Sequence, residues 1–471
     1  MMQKNRKINK VMLMSPRYTL YKDDVRRCVP PSGLAYIAAY IEKQGYEVRI
    51  VDASAEGYQN TIEEDDFISY GLSDDEIRKR ILEFRPDIVG VSCLFSSQYK
   101  NARKLLEIIK TTEPGIITVT GGSHPTYTVK ESLDDKNLDF IVLGEGELTT
   151  TRLLQALNDN GNLTDVSGIA FRKDGEYCIN GDIPYIADLD QLPFPARHLL
   201  NMELYFKINM PQSPYPKGKR VAQILTSRGC PAKCVFCTTT NFWGNRYRGR
   251  TARNVVEEVE ILSQKYGIDE IQFSDDNLTL NKNRAMQIID GIKHLGLHWC
   301  SPQGIAVWAM DEELLEGMKE SGCYQLTFAI ESGNQDVLDN IVKKPLKLHR
   351  VAPLVKKAQS LGIKVHGFFV CGLPGETIAQ MHQTYDFAKA AGFDSASFFV
   401  ATPLVGTELL EVCRREKYLK ENTSYQEQLY KIGNINTPDF ISTEVEQLVR
   451  EFNKKYNEAD TRKKRFESHK Y

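Results

Sequence analysis

The chain has 471 residues, of which 41% are hydrophobic, and a formal net charge of −2. This excludes one ordinary domain, favours two or three well-cored ones, and argues against an extended nucleic-acid-binding surface. Its ten cysteines lack the regular pairing of a disulfide scaffold, and no stretch approaches the roughly 20 apolar residues that span a bilayer, so a soluble cytoplasmic protein is expected.

From residue 8 to 160, short apolar runs alternate with helical patterns. The predicted strands are Lys10–Ser15, Glu47–Val51, Ile88–Cys93, Ile116–Thr120 and Phe140–Leu143. The predicted helices are Leu34–Gln44, Asp75–Phe84, Tyr99–Lys110 and Glu147–Asn158. Buried, Val/Ile-rich strands with helical crossovers make a Rossmann-like, doubly wound parallel sheet, which binds ligands at the carboxyl ends of its strands. Gly, Ser and His gather at those ends, in Ser92–Ser97, Gly121–Thr126 and Gly144–Glu147. Gly144-Glu145-Gly146 lacks the third glycine of a dinucleotide fingerprint and follows the last strand instead of the first, so a nicotinamide is not expected.

Residues 161–217 read as a hairpin and linker. Ser167–Arg172 and Glu176–Asn180 flank Lys173-Asp174-Gly175, and the segment around Pro193 and Pro195 is a proline-bearing connection. Residues 218–410 read as strand–helix units, with strands at Val221–Leu225, Glu270–Phe273, Trp299–Ile305, Gln325–Ile330, Lys364–Val370 and Ser395–Val400. These six are too few for a closed eight-unit barrel. Residues 411–471 carry helical patterns such as Glu444–Tyr456, expected to pack across the barrel opening or shape the pocket, and end in a solvated basic cluster, Arg462–Arg465.

The chemistry lies just after the first of these strands. Cys230, Cys234 and Cys237 stand at CxxxCxxC spacing, and no fourth cysteine follows nearby. Three soft thiolates on one loop suit three irons of a [4Fe–4S] cluster and leave one iron open to bind a small molecule. Zinc, the alternative, takes four protein ligands and paired CxxC knuckles, which are missing.

With Phe236 before the last cysteine, this loop resembles the signature of the radical S-adenosylmethionine enzymes. The resemblance continues through Phe242-Trp243-Gly244, Arg248, Phe273–Thr279, Ile330–Gly333 and Gly372–Thr377. Upstream, Pro31–Leu34, Gly121–Thr126 and Gly144–Glu147 resemble the cobalamin-binding domain of one branch of that family. The resemblance implies an N-terminal Rossmann-like cobalamin-binding domain, then an open (β/α)6 partial TIM barrel, then a C-terminal helical extension. It also implies the cofactors: a [4Fe–4S] cluster, S-adenosylmethionine and cobalamin, served by a low-potential electron donor such as flavodoxin or ferredoxin.

Site roles follow from the same resemblance. Cys230, Cys234 and Cys237 bind the cluster, and Phe236 touches the adenine. Glu331 lies near the ribose or amino group of S-adenosylmethionine, with a helix N-terminal carboxylate as its alternative. Asp275 and Asp276 orient S-adenosylmethionine or substrate, or one of them caps the helix entered near Asn281. Ser92, Gly121, Gly122, His124, Gly144, Glu145 and Gly146 surround the corrinoid, the glycines allowing its close approach. No histidine has a DxHxxG context, so base-off cobalamin without a histidine ligand is implied. Arg248 and Arg250 pair with a ligand anion or form salt bridges, and Cys371 is an inert packed thiol.

The implied activity is methyl transfer from S-adenosylmethionine through methylcobalamin to an unactivated carbon of a small-molecule or lipid-like substrate. A cyclising or ring-rearranging enzyme of the same branch is the alternative. A methylthiotransferase needs a second set of cysteines, and Cys28, Cys93 and Cys178 lie too far apart. A non-catalytic corrinoid carrier has no use for the cysteine triplet.

Overall fold

The computed structural model describes residues 7–213, 215–421 and 430–458; the basic cluster Arg462–Arg465 lies outside them. The chain divides into two compact units, Met1–Met210 and Pro211–Tyr471.

The described residues of the first unit form ten strands: β1 (Lys10–Ser15), β2 (Tyr18–Tyr21), β3 (Glu47–Asp52), β4 (Thr61–Glu64), β5 (Phe67–Tyr70), β6 (Ile88–Ser92), β7 (Ile117–Gly121), β8 (Phe140–Val142), β9 (Ile169–Lys173) and β10 (Glu176–Ile179). Seven of them form one sheet in the order β10-β9-β8-β7-β6-β1-β3. Strands β3, β1, β6, β7 and β8 are mutually parallel. Val11 to Met14 are all buried because helices cover both faces of β1. Met12 and Met14 pack with Ile77, Ile81, Leu105 and Ile109 from helices Asp74–Phe84 and Tyr99–Thr112. Val11 and Leu13 pack on the opposite side with Leu34, Ala38, Ile41 and Leu154 from helices Ser32–Glu42 and Gly146–Asn158. Strand order reverses between β3 and β6 around β1, so the switch point of the doubly wound sheet lies there.

The hairpin read as part of the connecting region forms the edge of this sheet, with β9 and β10 antiparallel to each other and β9 antiparallel to β8. Asp174 (φ 52°) and Gly175 (φ 88°) supply the left-handed turn that matches strand twist. A separate three-stranded sheet, β2-β5-β4, was not foreseen. Its hairpin turns on Asp65 and Asp66, with Asp65 at φ 44°, and the residues of β4 are all exposed. An acidic turn between exposed residues leaves little hydrophobic alternation to read.

The second unit contains β11 (Val221–Ile224), β12 (Ser227–Arg228), β13 (Arg248–Gly249), β14 (Glu270–Phe273), β15 (His298–Ile305), β16 (Cys323–Glu331), β17 (Lys364–Cys371) and β18 (Ser395–Val400). Six are parallel neighbours in the order β11-β14-β15-β16-β17-β18, and β12 pairs with β13 in a separate two-stranded sheet. Strands β11 and β18 remain edges, so the barrel is open. Helices Ala252–Tyr266, Lys282–Ile292, Glu312–Glu320, Val351–Ser360 and Ile378–Ala391 connect them. Thr377, the last residue of the Gly372–Thr377 phrase, begins the last of these with a capping box closed by Gln380.

Helix Ser442–Asn457, expected to pack across the barrel opening or shape the pocket, lies along the edge strand β18. Its Phe452 packs on Phe398 and Tyr385, with ring centroids 5.3 and 4.6 Å apart. The Asn453 amide exchanges two hydrogen bonds with the Phe398 backbone (3.0 and 2.7 Å), and the Asn457 amide does the same with Ala396 (3.2 and 2.8 Å). Val400 N donates to Tyr430 O at 2.8 Å, completing the outward-facing row of β18. Among the described residues no helix is long and apolar enough to cross a membrane.

Candidate active site

The cysteine loop leaves the barrel after β11 and is anchored by the β12–β13 pair. Gly229 has φ 84°, and a Cβ there would run into Arg246 O, so the hairpin requires glycine just before Cys230. Cys237 N donates to Cys234 O at 3.0 Å, which turns the loop, and Val235 N donates to Val342 O at 3.2 Å. All three thiols are partly exposed and free. Burial pushes Cys234 up to about 12 and raises Cys237, and each of these two is raised further by its neighbouring thiols. Cys234 and Cys237 therefore hold their protons until a metal displaces them. Phe236 is half-buried on the same loop.

Asp275 and Asp276 at the end of β14 do different things. Asp275 is fully buried and accepts hydrogen bonds from Thr226 N (3.1 Å), Thr226 Oγ1 (2.7 Å) and Ser227 Oγ. It therefore rivets the β14 loop to the residues just before the cysteine loop. Burial raises its pKa and these donors oppose the rise. Asp276 is exposed and accepts from Thr239 Oγ1 at 3.1 Å. Neither carboxylate caps the following helix; Asn281 does, accepting from Arg284 N at 3.0 Å.

Glu331 ends β16 at φ 73°, beside a register shift, in a left-handed conformation uncommon for a non-glycine residue. Its carboxylate takes a 2.8 Å ion pair from Lys344 Nζ, and both residues are buried. Burial works against the charge of Lys344, but Glu331 and Cys234 outweigh it and hold the lysine above its ordinary range. The Lys344 ammonium also stands 5.3 Å from the Trp308 ring centroid. Sequence reasoning missed Lys344 because Lys343-Lys344 looks like a solvated charge pair; no local signal distinguishes them. Asn277, quoted within a motif without a role, is wholly buried and donates from Nδ2 to Cys230 Sγ at 3.7 Å.

The two arginines after the loop serve the protein itself. Arg248 donates to Trp243 O at 2.7 Å, and Arg250 pairs with buried Glu258 while donating to Asn254 Oδ1 at 2.7 Å. Cys371 is buried, and burial pushes its thiol far up, as an inert packed cysteine requires. Glu376 accepts from Gly372 N (2.8 Å) and Leu373 N (3.2 Å), and burial pushes its carboxyl up to about 7.

In the first unit, the punctuated loops gather at the carboxyl ends of β6, β7 and β8. Ser92 ends β6 and Gly121 ends β7, paired in register. Gly122 has φ 116°, and a Cβ there would lie 2.5 Å from Cys93 O; at Gly146 it would lie 2.5 Å from Ile37 Cδ1, and at Gly144 (φ 65°) it would strike Ile183. The chain's own backbone thus demands glycine at Gly122 and Gly144, while at Gly146 the Ile37 side chain could move aside. Glu145 is buried and accepts from Ile186 N at 3.3 Å. His124 is also buried, with Nδ1 3.0 Å from Ser96 Oγ and its ring 4.2 Å from that of Tyr99; burial lowers its pKa to about 4. By contrast Leu94 and Phe95, just beyond β6, are about half exposed, an apolar surface at the strand ends.

Comparison with known proteins places these features. The B12 binding domain model matches residues 18–154 and the Radical SAM superfamily model matches residues 224–388. The chain is 47% identical to the cytidylyl-2-hydroxyethylphosphonate methyltransferase of Streptomyces wedmorensis over 96% of its own length and 90% of that protein's. The chain belongs to the cobalamin-binding radical S-adenosylmethionine enzymes. It is also 34% identical to an uncharacterized methyltransferase of Pyrococcus horikoshii, over 86% of this chain and 83% of that one. A solved structure of the radical S-adenosylmethionine methyltransferase TsrM from Kitasatospora setae, with cobalamin and a [4Fe–4S] cluster bound, shares its fold. The TM-score is 0.70 at 17% identity, covering 88% of this chain and 79% of that one.

The protein is thus an enzyme that uses a [4Fe–4S] cluster, S-adenosylmethionine and cobalamin. Its residues fit these groups. Three free, half-buried cysteines on one loop, with a buried N–H donor aimed at one sulfur, are the donor type a cluster takes, although among the described residues no three His, Cys, Asp or Glu side chains stand close enough to hold a single metal ion. Exposed Leu94 and Phe95 at the strand ends suit the apolar periphery of a corrin.

Proposed function

We propose that this enzyme transfers a methyl group from S-adenosylmethionine to an unactivated carbon of a nucleotidyl phosphonate of the cytidylyl-2-hydroxyethylphosphonate type. The observation that carries this reading is the 47% identity to a methyltransferase of that substrate, sustained over 96% of the chain. When bound, the cluster supplies the electron that cleaves S-adenosylmethionine and the corrinoid supplies the methyl group. A carbon without an acidic proton or a nucleophilic lone pair needs such a radical route.

The chain's own residues do the holding. Cys230, Cys234 and Cys237 ligate the cluster, giving up their protons as it binds. Phe236, on the same loop, flanks the adenine. Glu331, held by Lys344, presents a fixed carboxylate to S-adenosylmethionine from a strained strand end. Asp276, the exposed member of the acidic pair, faces ligand, while Asp275 positions the loop. His124 stays neutral and bonded to Ser96, so it would support a bound corrinoid by packing and not as a ligand. Ser92, Gly121, Gly122, Gly144, Glu145 and Gly146 shape the rim on which the corrinoid rests. A reduced flavodoxin or ferredoxin delivers the electron in a reducing cytoplasm, where the cysteines outside the triplet remain free thiols.

The test is anaerobic incubation of the reconstituted enzyme with cytidylyl-2-hydroxyethylphosphonate and S-adenosylmethionine deuterated in its methyl group. A product heavier by one labelled methyl in place of hydrogen is expected. Cleavage of S-adenosylmethionine with an oxidised or cyclised product and no label overturns methyl transfer.

A further inference from the structure

Asn277 lies two residues beyond Asp275 and has no solvent-accessible surface. Its Nδ2 donates to Cys230 Sγ at 3.7 Å, while its Oδ1 meets no donor among the described residues. A buried amide left half-satisfied is costly, so its retained contact with sulfur calls for an explanation. The orientation is the one electrostatics selects: Oδ1 turned toward a thiolate would set two electron-rich atoms together, whereas Nδ2–H offers its positive end. The loop cannot drift, because Asp275 binds it to Thr226 and Ser227, immediately ahead of the cysteine loop. Arg284 fixes the same corner by donating to Thr226 O at 2.6 Å.

We infer that Asn277 is a positioning residue that raises the reduction potential of the [4Fe–4S] cluster through its hydrogen bond to Cys230. The inference rests on Cys230 being a cluster ligand, as proposed above. Reduction brings one electron from the external low-potential donor onto the cluster; no bond is made or broken, and the amide keeps its proton. The added charge spreads onto the ligating sulfurs, so an N–H dipole aimed at one of them stabilises the reduced form more than the oxidised form. Burial strengthens the effect, since no water competes for the sulfur. An amide does this without adding charge, leaving the cysteines' own charge balance intact.

The experiment is an electron paramagnetic resonance redox titration of anaerobically reconstituted wild-type enzyme and N277L, without S-adenosylmethionine or substrate. Leucine keeps the size of the side chain and removes the donor. N277L is expected to load iron and sulfide as the wild type does and to show an equilibrium constant for one-electron reduction about tenfold smaller, a drop of about 59 mV. An unchanged potential in fully loaded N277L overturns the inference. So does a folded N277L that holds no cluster, because Asn277 would then serve loading and not tuning. Wild-type enzyme labelled with nitrogen-15 at its asparagine side-chain amides gives a second measurement that needs no variant. A nitrogen-15 coupling to the reduced cluster supports the contact, and its absence overturns it. Normal cluster content in C230A would instead defeat the ligand assignment beneath the inference.

Discussion

The carboxyl strand ends of the two units look alike in sequence, both marked by glycines and polar residues, yet they are stabilised in opposite ways. In the first unit the conspicuous residues satisfy the fold: Gly122, Gly144 and Gly146 make room for Cys93, Ile183 and Ile37, and His124 is buried against Ser96 and Tyr99. In the second unit they hold tension. Glu331 is kept at φ 73° with a buried ion pair, and Asn277 carries an amide oxygen that meets no donor among the described residues. A site whose ligand lies over an apolar surface can be built from well-satisfied parts. On the proposed reading, a site that takes up a charged cofactor keeps polar groups in costly positions.

That contrast can be broken most severely at the cluster. C237A is expected to retain its fold but lose the cluster and all cleavage of S-adenosylmethionine, read by iron content, visible absorbance and release of 5′-deoxyadenosine. Next in size is K344M, which strands the Glu331 carboxylate in a buried site and should destabilise the chain by about 3–5 kcal/mol. The double variant K344M/E331Q should recover much of that loss in urea titrations. If K344M alone leaves the midpoint unchanged, the second unit is not under the tension described.

For the first unit, acid is the sharper probe. Folded His124 has its pKa lowered to about 4 by burial, below the roughly 6.5 of an unfolded histidine. Between these values the unfolded chain binds more protons, so stability is full above about pH 6.5 and falls as pH drops, by about 3 kcal/mol near pH 4. H124Q should flatten that slope in urea midpoints measured across the range. Smallest is G122A, expected to cost about 1–3 kcal/mol from its left-handed backbone and the nearby carbonyl. G33A is the control: a Cβ there meets nothing within 4 Å, so the urea midpoint should not fall.

Much of this was legible because periodic patterns report burial directly. Three strands, Lys10–Ser15, Glu270–Phe273 and Ser395–Val400, fall where the apolar runs place them, and the cysteine spacing carried the cluster chemistry. What stayed hidden depends on partners distant in sequence. The purpose of Asp275 becomes visible only when Thr226 and Ser227 come beside it, 49 and 48 residues away. Lys344 is marked out from Lys343 only by Glu331 across the fold, since Lys343 pairs with exposed Glu408 instead. The glycines were read as room for a ligand because sequence does not show whether a missing Cβ serves a cofactor or a neighbouring side chain.

An unclosed barrel has a rim strand whose amides would recruit a strand from another molecule. Here two asparagines one helical turn apart act as a counterfeit strand, matching the two-residue repeat of β18 with side-chain amides. Helix Ser442–Asn457 therefore occupies the amides of a rim strand that a strand of another molecule would otherwise pair with.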